Sequence, residues 1–296
     1  MTSNSISKFR VWIIASRPKT LLAAFVPVVV GSSIAYHDGK FKFDIALVTL
    51  LCALMIQIGT NFVNDLYDFI KGADGEKRSG PKRVVSSGSL SIKEMEKGIL
   101  FIFSLCFVLG FYLVSVSGWI ILLIGIISII AGIVYTAGPF PLAYNGLGDI
   151  ASFIFFGFVG TMGTYYVQTK ELSELVFWSS IPVGALITNI LVVNNYRDRS
   201  EDKLIGKNTL AVILGEKYTR IQYVLFMLFS YGIPVFVYLT FKNNIIIFLP
   251  FLSLPLAIKL IKMIYSLRGS ELNKTLELTA KLSALYGFLF ALGILT

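Results

Sequence analysis

The sequence predicts an all-α integral membrane protein, a bundle of nine transmembrane helices in two pseudo-repeated halves. Hydrophobic residues make up 55% of the 296 residues and charged residues only 15%, and the mean hydropathy is +0.77. A soluble domain carries about 25% charged residues, so this chain has too little charge to cover a surface in water. Helices are expected because isolated strands cannot satisfy their backbone hydrogen bonds in lipid.

Nine apolar segments account for almost the whole chain as a single transmembrane domain, 1–296. Each approaches the roughly 20 mostly apolar residues that a helix needs to cross the hydrocarbon. In chain order the predicted spans are 20–36, 43–63, 99–117, 119–135, 150–167, 176–194, 221–241, 245–264 and 280–295. The third and fourth are separated only by a tight turn around Ser117 and Gly118.

The distribution of Lys and Arg predicts which side of the membrane each connection faces. With the N-terminus in the cytoplasm, 22 of the 26 Lys and Arg residues lie on the cytoplasmic side, as the positive-inside rule requires. The net charge of +9 therefore reports topology, and nucleic acid is not an expected partner. We expect a multi-pass protein of the inner or plasma (cytoplasmic) membrane. Its site should lie at the cytoplasmic face, where the long polar connections 64–98 and 195–220 are predicted.

Sulfur and imidazole chemistry have little support in this sequence. Cys52 and Cys106 lie within apolar runs and His37 lies in a short polar turn. A disulfide scaffold, a cysteine metal site and histidine catalysis are therefore not expected.

Two predicted spans end in acidic residues at helical spacing. At the end of the second span, Asn61, Asn64, Asp65 and Asp68 fall at steps of three and four if the helix continues. Such residues share one helix face. At the end of the sixth span, Asn194, Asp198 and Asp202 follow the same plan. The second half of the chain thus repeats the first.

Clustered carboxylates near a membrane need a positive partner. Mg²⁺ is the natural candidate, because it takes carboxylate oxygens and completes its shell with water and substrate phosphate. Two such helix ends facing each other would hold two Mg²⁺ ions and one diphosphate. The alternative is that these acids are solvated or paired with nearby arginines. Basic side chains placed to contact phosphate oxygens are Arg17, Lys82, Arg83 and Lys207.

The two acidic motifs resemble those of the UbiA superfamily of intramembrane aromatic prenyltransferases, a family of nine-helix bundles with NDxxDxxxD and DxxxD motifs. Here they read Asn64-Asp65-x-x-Asp68 and Asp198-x-x-x-Asp202. Position 72, where the family's third aspartate of the first motif would fall, is Gly72, and the next acid is Asp74.

Further segments resemble the branch of the superfamily that prenylates 1,4-dihydroxy-2-naphthoate in menaquinone biosynthesis. They are residues 16–20, 80–88, 135–139, 194–202 and 206–212. The 4-hydroxybenzoate branch would carry the third aspartate at position 72 and an Arg-Thr-x-x-Arg-Pro stretch after it, and neither is present.

The resemblance implies a set of functional residues. The implied ligands of two bridging Mg²⁺ ions are Asn64, Asp65, Asp68, Asp198 and Asp202. The residues expected to be catalytic are Asp68, Asp198, Tyr135 and Tyr196. Those expected to bind diphosphate or acceptor are Arg17, Asn61, Asn64, Lys82, Arg83, Asn194, Arg197 and Lys207. Arg197 either positions the acceptor's carboxylate or pairs with Glu201.

The implied reaction transfers a polyprenyl group from its diphosphate to the aromatic acid, with loss of CO₂ and diphosphate. Breaking the allylic C–O bond leaves a carbocation-like centre, so water must be excluded and the faces of Tyr135 and Tyr196 are placed to steady the charge. An interfacial aromatic belt is the alternative explanation for these tyrosines. Membrane lipid is an expected partner, and no obligate protein partner is indicated.

Two other functions compete with this interpretation. The same fold with another acceptor would use 4-hydroxybenzoate, homogentisate, haem or a sugar phosphate. A cation transporter or channel would also place acids on repeated halves, but nearer the middle of the spans. No motif reports the prenyl chain length or the oligomeric state.

Overall fold

The computed structural model describes residues 7–73, 83–242 and 244–296, and the regular elements in these ranges are helical apart from one isolated bridge between Asn145 and Asn208. We number the main helices along the chain. They are α1 (Lys8–Ser16), α2 (Pro18–His37), α3 (Phe43–Ile70), α4 (Ile92–Ser117), α5 (Trp119–Val134), α6 (Gly148–Thr169), α7 (Glu174–Leu204), α8 (Leu210–Phe241), α9 (Ile245–Ser266) and α10 (Leu272–Ile294).

The predicted all-helical membrane fold is confirmed. Each of the nine predicted spans matches an apolar helix, with 119–135 and 280–295 extending one residue past the end of α5 and α10. In the described ranges eight helices are long and apolar enough to cross a bilayer. The remaining span, α5, is equally apolar but has 16 residues. The middle of α6, Phe153–Met162, is π-helical, a geometry that often accompanies functional sites.

Several predicted boundaries differ from the structure. The connections predicted over 64–98 and 195–220 are shorter, because α3 continues to Ile70, α7 to Leu204, and α8 already begins at Leu210. A helix satisfies its own backbone, so it need not stop where the hydrocarbon ends. The predicted polar tail also contains α1, whose Val11 and Ala15 are buried. The acidic residues therefore stand on helical turns.

The larger hydrophobic core joins α2 to the helices of the second half. Close approach between α6 and α7 depends on small residues, since a Cβ on Gly157 would lie 3.0 Å from the Cα of Gly184. Small residues allow this kind of packing between membrane helices. Smaller cores hold α3 and α4 together. The space left between the two groups of helices is the cavity described below.

Candidate active site

A cavity of about 430 Å³ runs through the bundle between these two groups of helices. Its lining changes from charged and polar at one end to apolar at the other. The polar end is lined by Arg17, Thr20, Asn64, Asp68, Arg83, Tyr135, Thr136, Asn194, Asn195 and Lys207. Thr49 also lines it, 19 residues before Asp68 on α3, so the cavity extends about 28 Å along that helix at about 1.5 Å per residue.

Asp68 lies at the polar mouth with both carboxylate oxygens occupied. Oδ1 accepts a hydrogen bond from the Tyr144 hydroxyl at 2.7 Å, and Oδ2 lies 2.7 Å from an Arg83 guanidinium nitrogen. Arg83 also donates to the backbone oxygen of Asn64 at 2.6 Å. The side chains of this ion pair are only 10% and 3% exposed. Such a desolvated pair is sensitive to the loss of either partner.

The other predicted residues of the first motif point in different directions. The Asn64 side chain faces the cavity and accepts from the Thr136 hydroxyl at 2.7 Å. Asp65 faces away and accepts from the backbone N–H groups of Val84 (3.3 Å) and Val85 (3.1 Å). Asn61 donates to the Ser16 carbonyl at 2.9 Å. Asp65 and Asn61 therefore tie α3 to its neighbours and do not line the cavity.

The second motif carries its own cations. Arg197 donates to both oxygens of Asp198, at 2.6 and 2.7 Å. It also donates to Asn194 at 2.9 Å and to Asn273 at 2.7 Å. Asp202 pairs with Lys207 at 3.6 Å. Asn194 and Lys207 line the cavity, whereas Asp198 and Asp202 stand behind that lining.

Tyr144 joins the two acidic helix ends. Its hydroxyl binds Asp68, and the Lys207 ammonium lies 5.1 Å from the centre of its ring. The backbone N–H of Asn208 donates to the Tyr144 carbonyl at 3.1 Å. Asp68 is thus linked through Tyr144 and Lys207 to Asp202. We call this set (Tyr144, Lys207 and Asn208) the brace.

The hydroxyl group of Tyr135 lies near the carboxylates of both acidic helix ends. It follows α5 in the connection to α6 and lines the cavity. The carboxylates of Asp149, Asp68 and Asp202 are all near enough to act on its hydroxyl electrostatically. A tyrosine hydroxyl is protonated at neutral pH and can donate a hydrogen bond.

Two further predicted residues, Tyr196 and Arg197, do not line the cavity. Tyr196 packs against α8, where the Arg220 guanidinium lies 5.5 Å from its ring centre. Arg197 binds Asp198 and Asn273 as above. Lys82, like Asp74, falls outside the described residues.

Some polar residues at the site were missed by the sequence analysis. Tyr144 and Thr136 contact the first motif, and Asp149 binds Asn195 and Gln222. The available signal for Asp149 was its position: it is the lone acid in a predicted cytoplasmic connection that holds no Lys or Arg.

The chemistry of the donor atoms fits Mg²⁺. Asn64, Asp65, Asp68, Asp198 and Asp202 offer only carboxylate and amide oxygens, the ligand type that this ion takes. Within the described residues no three acidic, histidine or cysteine side chains form a preassembled metal cluster. Instead, Asp68, Asp198 and Asp202 each pair with a cation of the chain.

The fold and the site together define an intramembrane enzyme with a charged mouth on an apolar cavity. The profile of the UbiA prenyltransferase family matches residues 24–285. The chain belongs to this family and is a transferase, so the alternative of a cation transporter or channel is set aside.

Individual relatives agree with the family. A 1,4-dihydroxy-2-naphthoate octaprenyltransferase of Haemophilus influenzae is 35% identical, over 97% of this chain and 96% of its own length. One of Escherichia coli is also 35% identical, over 99% of this chain and 98% of its own length. A solved UbiA homolog of Archaeoglobus fulgidus, bound to DMAPP and Mg²⁺, is 15% identical, with a TM-score of 0.65 over 94% of this chain and 98% of that one.

Proposed function

We propose that this protein transfers a polyprenyl group from its diphosphate to 1,4-dihydroxy-2-naphthoate, with release of CO₂ and diphosphate, as a step of menaquinone biosynthesis. The observation that carries the proposal is a mouth of paired acids and bases at the end of a long apolar cavity. Full-length similarity to naphthoate prenyltransferases of two bacteria supports the choice of acceptor.

The cations at the mouth are placed to receive the diphosphate. Arg17, Arg83 and Lys207 all line the polar end of the cavity. Arg83 can contact phosphate oxygens as a fork and Lys207 as a point charge. These contacts stabilise the negative charge that grows on the departing diphosphate.

We assign two Mg²⁺ ions to the oxygen donors of Asn64, Asp65, Asp68, Asp198 and Asp202. When bound, these ions would supply positive charge that stabilises the departing diphosphate. Arg83 and Lys207, which now pair with Asp68 and Asp202, line the cavity and are close enough to bind the diphosphate instead. Asp65 is the weakest member of the set, since its oxygens are engaged by backbone amides.

The apolar part of the cavity takes the prenyl tail and excludes water. Its walls include Phe155, Phe156 and Val159 of the π-helical stretch of α6. Exclusion of water protects the carbocation-like centre from conversion to an alcohol. The Tyr135 ring lines the cavity beside the charged mouth and would steady this centre. In a cytoplasmic membrane the charged mouth would face the cytoplasm, where the basic connections lie.

The product's mass tests the choice of acceptor. Purified protein, Mg²⁺ and octaprenyl diphosphate are given 1,4-dihydroxy-2-naphthoate, 4-hydroxybenzoate or homogentisate. We expect product with the naphthoate alone, and its mass spectrum should show that the carboxylate has been lost. A naphthoate product that retains the carboxylate, or preference for another acceptor, would exclude this assignment.

Removal of the Tyr144 hydroxyl should weaken metal binding. Tyr144→Phe deletes the hydrogen bond to Asp68, and partners of metal ligands contribute about 10- to 100-fold in affinity. The Mg²⁺ concentration for half-maximal activity should rise about tenfold, with activity recovered at saturating Mg²⁺. Tyr112→Phe is the matched control, because Tyr112 donates to Asp44 at the other end of α3. Equal Mg²⁺ dependence of both variants would contradict the assigned role of Tyr144.

A further inference from the structure

Asp149 is a buried carboxylate with no assigned role in the mechanism above. It is 4% exposed at the start of α6. Its Oδ1 accepts from the Asn195 side-chain amide at 3.2 Å, and its Oδ2 accepts from the Gln222 amide at 2.8 Å. Among the described residues no Lys or Arg forms an ion pair with it. Retaining an acid between membrane helices on neutral partners alone is costly and indicates a functional role.

The two neighbours of Asp149 at the cavity wall are Asn195 and Tyr135. Both line the cavity, and Asp149 itself does not. The Tyr135 hydroxyl lies 3.1 Å from the position that a Cβ on Gly148 would take, so it rests against the backbone next to Asp149. Asp149 is therefore next to both of these cavity-lining residues.

The hydrogen bond from Asn195 to Asp149 determines what Asn195 offers to a ligand. An amide has one donating and one accepting end. With its nitrogen turned to Asp149, the carbonyl oxygen is left for the cavity. Tyr135 offers the complementary group, a hydroxyl that can donate a hydrogen bond. The cavity wall next to Asp149 thus offers one acceptor, from Asn195, and one donor, from Tyr135.

The depth of this polar pair suits the aromatic ring rather than the diphosphate. Asn195 precedes Asp198 by three residues on α7, which places it about 4.5 Å further into the bundle. It lies between the charged mouth and the apolar body of the cavity. An acceptor ring must reach this level to attack the carbon that the diphosphate leaves.

We propose that Asp149 is a positioning residue for the aromatic acceptor: it fixes the Asn195 amide so that the carbonyl oxygen accepts a hydrogen bond from a phenolic hydroxyl, while Tyr135 donates to a second oxygen of the same ring. The site takes the class of hydroxylated aromatic acids that carry two neighbouring oxygen groups. This inference rests on the proposed prenyl transfer and adds the residues that select the acceptor.

Kinetics with each substrate varied in turn test this role. Asn195→Leu should raise the KM for the acceptor roughly tenfold to a hundredfold, as expected for loss of a buried hydrogen bond. The KM for the prenyl diphosphate should stay within about twofold, because the charged mouth is untouched. Asn189→Leu is the matched control: Asn189 is also buried on α7 and donates to the Tyr223 carbonyl, but it does not line the cavity. Equal changes in both KM values for Asn195→Leu would overturn the proposal.

Two substitutions of Asp149 separate positioning from charge. In Asp149→Asn the new amide oxygen still accepts from Asn195. Gln222 can then turn its carbonyl oxygen, which is buried and unpartnered, toward the new N–H group. We expect near-normal KM and kcat for Asp149→Asn. For Asp149→Leu we expect the KM for the acceptor to rise as much as it does in Asn195→Leu. A kcat loss in Asp149→Asn as large as that in Asp149→Leu would show that the charge itself acts, and would overturn the positioning role.

An acceptor analogue keeps the test decisive if Asp149→Leu does not fold. An acceptor whose phenolic hydroxyl is replaced by a methoxy group should bind more weakly to the unaltered protein and to Asn189→Leu. In Asn195→Leu the replacement should have no further effect, because the hydrogen bond it removes is already absent. Discrimination retained in Asn195→Leu would refute the proposal while leaving prenyl transfer intact. Absence of prenyl transfer by the unaltered protein would refute the proposed function itself.

Discussion

Asp68→Asn should reduce Mg²⁺-dependent prenyl transfer by a factor on the order of 10³, comparable to the loss of one strong transition-state contact. The substitution keeps the shape of the side chain but removes the charge that now holds Arg83 at 2.7 Å. It removes a metal ligand and misplaces a phosphate-binding cation at the same time. The measurement is initial rate per folded protein in detergent, with size-exclusion chromatography to verify folding.

Asp44→Asn provides the matched comparison for this variant. Asp44 stands on the same helix, in its first turn at the opposite end, where it accepts from Tyr112. Its rate should equal that of the unaltered protein. Asp198→Asn should behave like Asp68→Asn. More than about a tenth of normal turnover in folded Asp68→Asn would remove this residue from the site, since such a loss is only about 1.4 kcal/mol.

Gly125→Leu should convert the enzyme from long to short prenyl donors. Gly125 lines the cavity, and a Cβ there would meet no atom within 4 Å. A larger side chain would therefore extend into open cavity space without disturbing the packing. It lies ten residues before Tyr135, about 15 Å from the mouth along α5.

Competition between two donors provides the measurement. Octaprenyl diphosphate turnover should fall at least about tenfold, because the tail would have to displace a packed side chain at a cost of about 1–3 kcal/mol. Geranyl diphosphate turnover should be nearly unchanged, since its short tail ends before Gly125. Gly232→Leu is the control: its Cβ would also meet nothing within 4 Å, but Gly232 does not line the cavity. Unaltered use of the long donor by Gly125→Leu would show that the tail leaves the bundle by another route.

The fold was predictable because its main determinants are compositional. Long apolar runs and the asymmetry of Lys and Arg report membrane crossing directly. Helix ends were harder to predict, because hydropathy marks only the edge of the hydrocarbon, whereas the hydrogen-bonded helix continues beyond that edge. Hydropathy alone therefore assigned Asp68 and Asp202 to polar connections, whereas their helical spacing already allowed the helices to continue through them, as α3 and α7 do. Helix α1 lacks a long apolar run, so no hydropathy signal reported it.

The site was predictable only in part. Spacing placed Asn64 and Asp68 on one face, and both line the cavity. The same spacing could not show that Asp65 differs from Asn64 and Asp68. Asp65 follows Asn64 directly and so points about 100° away around the helix, where it accepts from the backbone N–H groups of Val84 and Val85. Tyr196 stands within the second motif but faces Arg220. Tyr144 and Asp149 act through contacts far along the chain, which no local pattern encodes.

The brace has a consequence for how this enzyme can be divided and recombined. Tyr144 belongs to the connection before α6, yet its hydroxyl meets Asp68 of α3, and its carbonyl and ring meet Asn208 and Lys207 after α7. A chimera with one junction between this chain and a distant relative separates Tyr144 either from Asp68 or from Lys207 and Asn208, depending on where the junction lies. Such an exchange should therefore succeed only when the relative supplies equivalent side chains on the far side of the junction, so Asp68, Tyr144 and Lys207 are best exchanged together despite their separation in sequence.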